Sequence, residues 1–181
     1  MKTNDSMEEL LISNNCFVAS TKKPFSYASG LKGPIYCDNR KVISSVKARN
    51  LVINQFINII VENKIKIDCI AGIATGGLPF ATLLSHQLEL PLIYIRSSSK
   101  KYGHQNLIEG SFLPNWKVLV IEDLVNQGGS LSKGVTVLKE SGLDVKGSLS
   151  IVDYETILGK KNLLENKCPH YSLVTLSSLL E

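Results

Sequence analysis

No apolar run in this chain is long enough to cross a bilayer. The longest stretches, such as Val118-Leu119-Val120-Ile121, are a few residues each. The amino terminus, Met1-Lys2-Thr3-Asn4-Asp5-Ser6, lacks the apolar centre of a secretory signal, so a cytoplasmic location is expected. Cysteine is sparse. Cys16, Cys37, Cys69 and Cys168 form no Cys-x-x-Cys pair, and no histidine lies at ligand spacing from them. That excludes a zinc ribbon or a disulfide scaffold and points to buried free thiols in a reducing compartment. Thirteen glycines and six prolines are too few for a fibrous or linker-rich chain. No concentrated basic stripe is present. Twenty lysines and arginines against sixteen acids leave only +4, scattered, which argues against nucleic acid and is compatible with a small anionic substrate.

What is present describes one ordinary domain: 181 residues, 44% apolar and 20% charged. Ser6-Met7-Glu8-Glu9 is a capping box, which predicts a short helix to about Ser13. Turn signals at Lys23-Pro24, Ser29-Gly30 and Gly33-Pro34 divide residues 16–40 into two or three short strands. A long helix is predicted from Ser44 or Ser45 to about Asn63, with Leu51, Val52, Phe56, Ile59 and Ile60 on one face. Strands and helices then alternate. Strands are predicted at Cys69–Ala74, Leu92–Ile95, Lys117–Ile121, Val145–Val152 and Ser172–Thr175. Helices are predicted at Pro79–Leu88, Ser130–Ser141 and Thr156–Asn166, and residues 97–106 are polar without a period. Such alternation predicts an α/β fold with a mostly parallel central sheet flanked by helices. Internal repeats are absent.

In such sheets ligands bind at the carboxyl ends of the strands. Three strand ends here are unusual. Ala71-Gly72-Ile73-Ala74-Thr75-Gly76-Gly77-Leu78-Pro79 follows a buried strand and opens a helix, the composition of an anion-binding turn. It matches neither a Walker loop nor a dinucleotide Gly-x-Gly-x-x-Gly motif. Val118 to Ser130 runs from four apolar residues into the acids Glu122 and Asp123, then through Leu124, Val125, Asn126 and Gln127 to Gly128-Gly129-Ser130 at a helix start. Acids suited to hydroxyls beside amides suited to a phosphate describe a ribose-phosphate site. Arg96-Ser97-Ser98-Ser99-Lys100-Lys101-Tyr102-Gly103-His104 is a basic loop of the kind that closes over an anion.

These residues resemble the type I phosphoribosyltransferases. Segment 118–130 is similar to their phosphoribosyl-diphosphate (PRPP) signature, and 71–79 to their pyrophosphate loop. Phe25, Ser29-Gly30 and Pro34-Ile35-Tyr36-Cys37-Asp38-Asn39-Arg40 resemble the small N-terminal hood of the orotate branch. Arg96 to Gly103 with Asn106 and Ile108-Glu109-Gly110 resembles its catalytic loop. The resemblance covers about residues 10–180. It implies a single domain over 1–181: a hood mainly within 1–40 with a C-terminal contribution, and a core at about 41–155. It also implies transfer of phosphoribosyl from PRPP to a nucleobase, most closely orotate, in UMP biosynthesis. Mg²⁺ would enter on PRPP without a direct protein ligand, and the enzyme would be a homodimer whose loop reaches the neighbouring subunit. Glu122 and Asp123 would bind the ribose hydroxyls, with Leu124 and Val125 beside them, and Asn126, Gln127, Gly128, Gly129 and Ser130 would hold the 5′-phosphate. Ala74, Thr75, Gly76 and Gly77 would hold the pyrophosphate. Arg96 and Lys100, assisted by Tyr102 and His104, would neutralise the leaving group, with Arg96, Lys100 and Asp123 as the catalytic set. Lys32, Asn126 and Tyr154 would face the base.

The chain departs from that family pattern in four places. Ser97 stands where a second loop cation is usual, and Ala28 where the hood usually has lysine. Asn126-Gln127 replace small or hydroxyl residues. Asp153-Tyr154 replace an Asp-Arg pair whose arginine contacts orotate. Transfer to another base, or a PRPP-binding homologue with little turnover, are therefore alternatives at this stage.

Overall fold

The structure is a computed structural model that describes residues 6–19, 24–26, 32–97 and 107–181. Helix α1 (Met7–Ser13) starts at the anticipated capping box. The Glu9 amide donates to Ser6 Oγ at 3.2 Å, and Glu9 Oε2 accepts from the Ser6 amide at 2.9 Å. Four short strands follow. β1 (Phe17–Ala19) pairs antiparallel with β4 (Ile35–Cys37), and β2 (Phe25–Ser26) with β3 (Lys32–Gly33). A 3₁₀ helix, Asn39–Ser44, then leads into α2 (Val46–Glu62), which Ser45 caps through the Ala48 amide. Ala48, Val52, Ile53, Phe56 and Ile60 form its buried stripe.

The remaining elements are β5 (Cys69–Ile73), α3 (Leu78–Leu88), β6 (Leu92–Ile95), β7 (Ile108–Glu109), β8 (Lys117–Val125), α4 (Gly129–Glu140), β9 (Asp144–Asp153), α5 (Ile157–Glu165), β10 (His170–Thr175) and α6 (Leu176–Leu180). Six strands form one sheet in the order β10-β9-β8-β5-β6-β7, parallel except at the β6–β7 edge. Alternate residues feed two cores. Ile70, Leu119 and Ile121 pack with α2 and α3, while Ala71, Ile73, Val118 and Val120 pack with α4 and α5. Burial on both faces is why β5 is apolar at every position rather than at every second one. No helix among the described residues is long and apolar enough to cross a membrane.

After β5 the chain moves outward to β6 and returns on the other side to β8. The switch point thus falls between the carboxyl ends of β5 and β8, the two strand ends richest in functional residues. One boundary differs usefully from the sequence reading. β8 does not stop at Ile121 but stays paired with β9 to Val125, through Glu122↔Ser150, Leu124↔Val152 and Val125↔Asp153. The acids therefore belong to a strand and are held by its ladder, not by a loop. The 3₁₀ helix, β7 and α6 were not anticipated, because elements this short carry no readable period.

Phe56 is fully buried at the centre of the α2 stripe. Phe56→Ala should cost about 3–5 kcal/mol of unfolding free energy through lost burial and a residual cavity. Urea unfolding checks this, and a loss below about 1 kcal/mol would show that α2 is not integral to the core.

Candidate active site

The loop leaving β5 lies directly on the end of β8. A side chain at Gly76 would fall on the Asp123 carboxylate. One at Gly77 would overlap the Ile121 carbonyl and reach within 2.9 Å of Glu122 Cα. Glycine is required here because backbone meets backbone. The Ala74–Thr75 peptide is cis. The Ala74 amide already donates to Ile95 O (2.8 Å) and that of Gly77 to Ile73 O (3.0 Å). Within segment 74–77, the amides of Thr75 and Gly76 are the ones left to face an anion.

The two acids of β8 have different settings. Glu122 is 5% exposed, and both its oxygens are occupied: Oε1 accepts the Asp123 amide (3.0 Å) and Oε2 accepts the Ser130 hydroxyl (3.0 Å). Burial, reinforced by the neighbouring Asp123 carboxylate, pushes its pKa well above the usual carboxylate range. Asp123 faces the cleft beside Gly76. The pair thus combines an internally tied acid with an accessible one.

Helix α4 begins immediately beyond. Gly128, at φ +70°, is its left-handed cap residue, and no side chain caps the first turn. The uncapped amides and the Ser130 hydroxyl therefore form a cradle for an anionic group at the positive end of the helix. The intervening loop is braced from α5 and the turn before it. Thr156 Oγ1 donates to Asn126 O (2.6 Å), Asn162 Nδ2 donates to Gln127 O (2.7 Å), and the Tyr154 amide donates to Val125 O (2.8 Å). A Cβ on Gly159 would sit 2.5 Å from Asn126 O, so α5 approaches as closely as it can.

From the opposite side the 3₁₀ helix locks the strand tip. Asn39, 1% exposed, donates from Nδ2 to the Asp123 carbonyl at 2.7 Å, and its Oδ1 accepts from Cys37 Sγ at 3.0 Å. Burial pushes the Cys37 thiol up to about 12, so it remains protonated and able to donate. The result is a cleft of about 500 Å³. Cys37, Asp38 and Arg40 line it from the segment around the 3₁₀ helix, and Thr75, Gly76, Asp123 and Ser130 line it from the sheet side.

Six of the nineteen anticipated residues line this cleft: Thr75, Gly76, Glu122, Asp123, Leu124 and Ser130. Arg96 stands at the end of β6, with its guanidinium 3.4 Å from Glu109 Oε1 and its amide on Leu107 O. Val125 belongs instead to the core cluster that includes α4 and α5 residues, and Tyr154 is buried in the other core cluster. Lys100, Tyr102 and His104 lie outside the described residues, as does the side chain of Lys32. Sequence reading missed Asn39, Thr156, Gly159 and Asn162, which act on the site through backbone carbonyls. Among them only Thr156 carried a signal, as the cap of α5. Among the described residues no three potential ligands cluster to cage a metal. A divalent cation carried mainly on a ligand's phosphate oxygens, with Asp123 nearby, is the arrangement this donor set fits.

The setting of Glu122 makes stability depend on pH. A carboxyl whose folded pKa is raised is penalised once it ionises. The penalty sets in as pH rises past the unfolded value near 4.5 and is complete above the folded one. Glu122→Gln removes that penalty while keeping an acceptor. Its melting temperature relative to the parent should therefore rise between about pH 4 and pH 7.5. Thermal unfolding at both values checks this, and a pH-independent difference would refute it.

Comparison with known proteins bears on these features together. A family model described as a phosphoribosyl transferase domain matches residues 41–156, the span that carries both glycine loops and the acids. The orotate phosphoribosyltransferase of Listeria innocua is 38% identical over 181 residues, covering 100% of this chain and 87% of that protein. That of Phocaeicola vulgatus is 41% identical over 155 residues, covering 85% of this chain and 73% of that protein. Among solved structures, orotate phosphoribosyltransferase from Aeropyrum pernix superposes with a TM-score of 0.83 at 25% identity, covering 96% of each chain. With the switch-point cleft, the uncapped α4 cradle and the acidic end of β8 in place, this chain belongs to the orotate phosphoribosyltransferase family of type I phosphoribosyltransferases.

Proposed function

We propose that the chain transfers phosphoribosyl from PRPP to orotate, giving orotidine 5′-phosphate and pyrophosphate. The observation that carries this reading is the apposition of the Gly76–Gly77 loop and Asp123 across the switch point, beside the uncapped α4 start whose Ser130 donates to Glu122. A ribose with phosphates at both ends needs those three features side by side. Asp123 accepts from the ribose hydroxyls, and Glu122 keeps Asp123 and Ser130 in place. The first turn of α4 takes the 5′-phosphate, and the Thr75 and Gly76 amides take the diphosphate.

A nitrogen of the base displaces the diphosphate from the anomeric carbon, so positive charge grows on the ribose and negative charge on the leaving group. When bound on PRPP, Mg²⁺ supplies charge neutralisation to the diphosphate oxygens. Arg96, at the root of the basic loop, and Lys100 within it supply cations as the leaving group departs. No covalent nucleophile is needed. The active form is read as a cytoplasmic homodimer with the loop serving the neighbouring site; four buried free thiols suit a reducing compartment. The hood is assigned to residues 1–40 with a C-terminal contribution. In support, the family match begins at residue 41, and Ser178 of α6 donates to Glu8 of α1.

Asp123→Asn should weaken PRPP binding by about 1.5–3 kcal/mol without unfolding the chain, since a charged acceptor is lost. Calorimetric titration reads this, and unchanged affinity would refute the role of Asp123. Lys100→Ala should lower kcat for pyrophosphate release more than it raises the KM for PRPP. Full turnover in that variant would remove Lys100 from the reaction.

A further inference from the structure

The base the enzyme accepts is a carboxylate at neutral pH, and a carboxylate held in a cleft calls for a cation with paired donors. At the position where the family pattern has arginine, this chain has Tyr154, which is 9% exposed and packed into the core. Among the described residues lining the cleft, the one cation is Arg40.

Three features prepare Arg40 for such a role. Its Nε donates to Asp38 Oδ1 at 2.6 Å, which fixes the guanidinium plane, and this same bond holds the Asp38 carboxyl below its usual range. Because Asp38 takes Nε, Nη1 and the second hydrogen of Nη2 are left as donors for a ligand. Nη2 also lies 3.5 Å from the Tyr36 hydroxyl, the outer limit of a hydrogen bond. Tyr36 in turn stacks on Phe25, with ring centroids 5.5 Å apart and an interplanar angle of 29°. The Arg40 side chain, 59% exposed, is thus oriented by a carboxylate, backed by an aromatic pair outside the cleft lining, and itself part of the cleft wall. A guanidinium held in this way is complementary to a carboxylate.

We infer that Arg40 is the specificity-determining residue that reads the carboxylate of the pyrimidine, in place of an arginine at position 154. The assignment rests on the phosphoribosyltransferase reading and deepens it. The Arg40 side chain forms part of the cleft wall.

Orotidine 5′-phosphate and uridine 5′-phosphate differ only by the carboxylate, so their ratio of affinities isolates its recognition. Calorimetric titration of both nucleotides against the parent, Arg40→Gln and Arg40→Lys tests the assignment. The parent should prefer the carboxylated nucleotide by about tenfold or more. Arg40→Gln should bring the ratio near one while uridine 5′-phosphate binds as before, which also shows that the variant is folded. Arg40→Lys should fall between, having charge without the fork. A preference that survives Arg40→Gln, or an equal loss of both nucleotides, would overturn the assignment. Failure of the underlying reading looks different: the parent itself would bind neither nucleotide and release no pyrophosphate from PRPP and orotate.

Discussion

The site depends on one steric fact: the loop after β5 can rest on the end of β8 only because residues 76 and 77 have no side chains. Any Cβ there would strike the Asp123 carboxylate or the Ile121 carbonyl. That contact brings the ends of two parallel strands together where the chain reverses its order in the sheet. It also sets an anion-binding turn against an acidic strand tip. Neither part is distinctive alone. Together they create a cleft in which amides and a carboxylate can act on different groups of one ligand.

The acidic tip is costly to build, and the structure shows how the cost is met. An ionised carboxylate under a sheet would demand several kilocalories per mole without partners. Glu122 avoids this by accepting from the Asp123 amide and the Ser130 hydroxyl, and by shifting toward its neutral form. Asp123 is left as the more accessible acid, with its carbonyl rather than its carboxylate tied down by Asn39. The division of labour follows from strand pleating, which sends successive side chains to opposite faces. One acid supports α4 and the other meets the cleft.

Both flanks of the cleft are anchored through backbone carbonyls. Thr156 and Asn162 hold Asn126 and Gln127 from α5 and its cap, while Asn39 holds Asp123 from the 3₁₀ helix. Side-chain donors on carbonyls leave the loop's own amides free for a ligand. They also make the segment before α2 part of the site's geometry. Cys37, Asp38 and Arg40 reach the cleft from the same short segment that supplies Asn39.

The amino-acid sequence by itself determined the alternation of strands and helices, the parallel sheet and the two glycine-bearing strand ends, because periodicity and backbone-permissive residues are local properties. The capping box at Ser6 and the starts of α2 and α5 were legible for the same reason. Resemblance added the hood and the order of the site segments. Only the tertiary structure decided that β8 continues through the acids, since that depends on the ladder with β9. It alone separated Glu122 from Asp123, turned Val125 and Tyr154 into the core, and brought Asn39 to the Asp123 carbonyl and Arg40 to the cleft. Those outcomes rest on burial and on hydrogen bonds between residues far apart in the chain, such as the 84 positions between Asn39 and Asp123, and no local pattern encodes them.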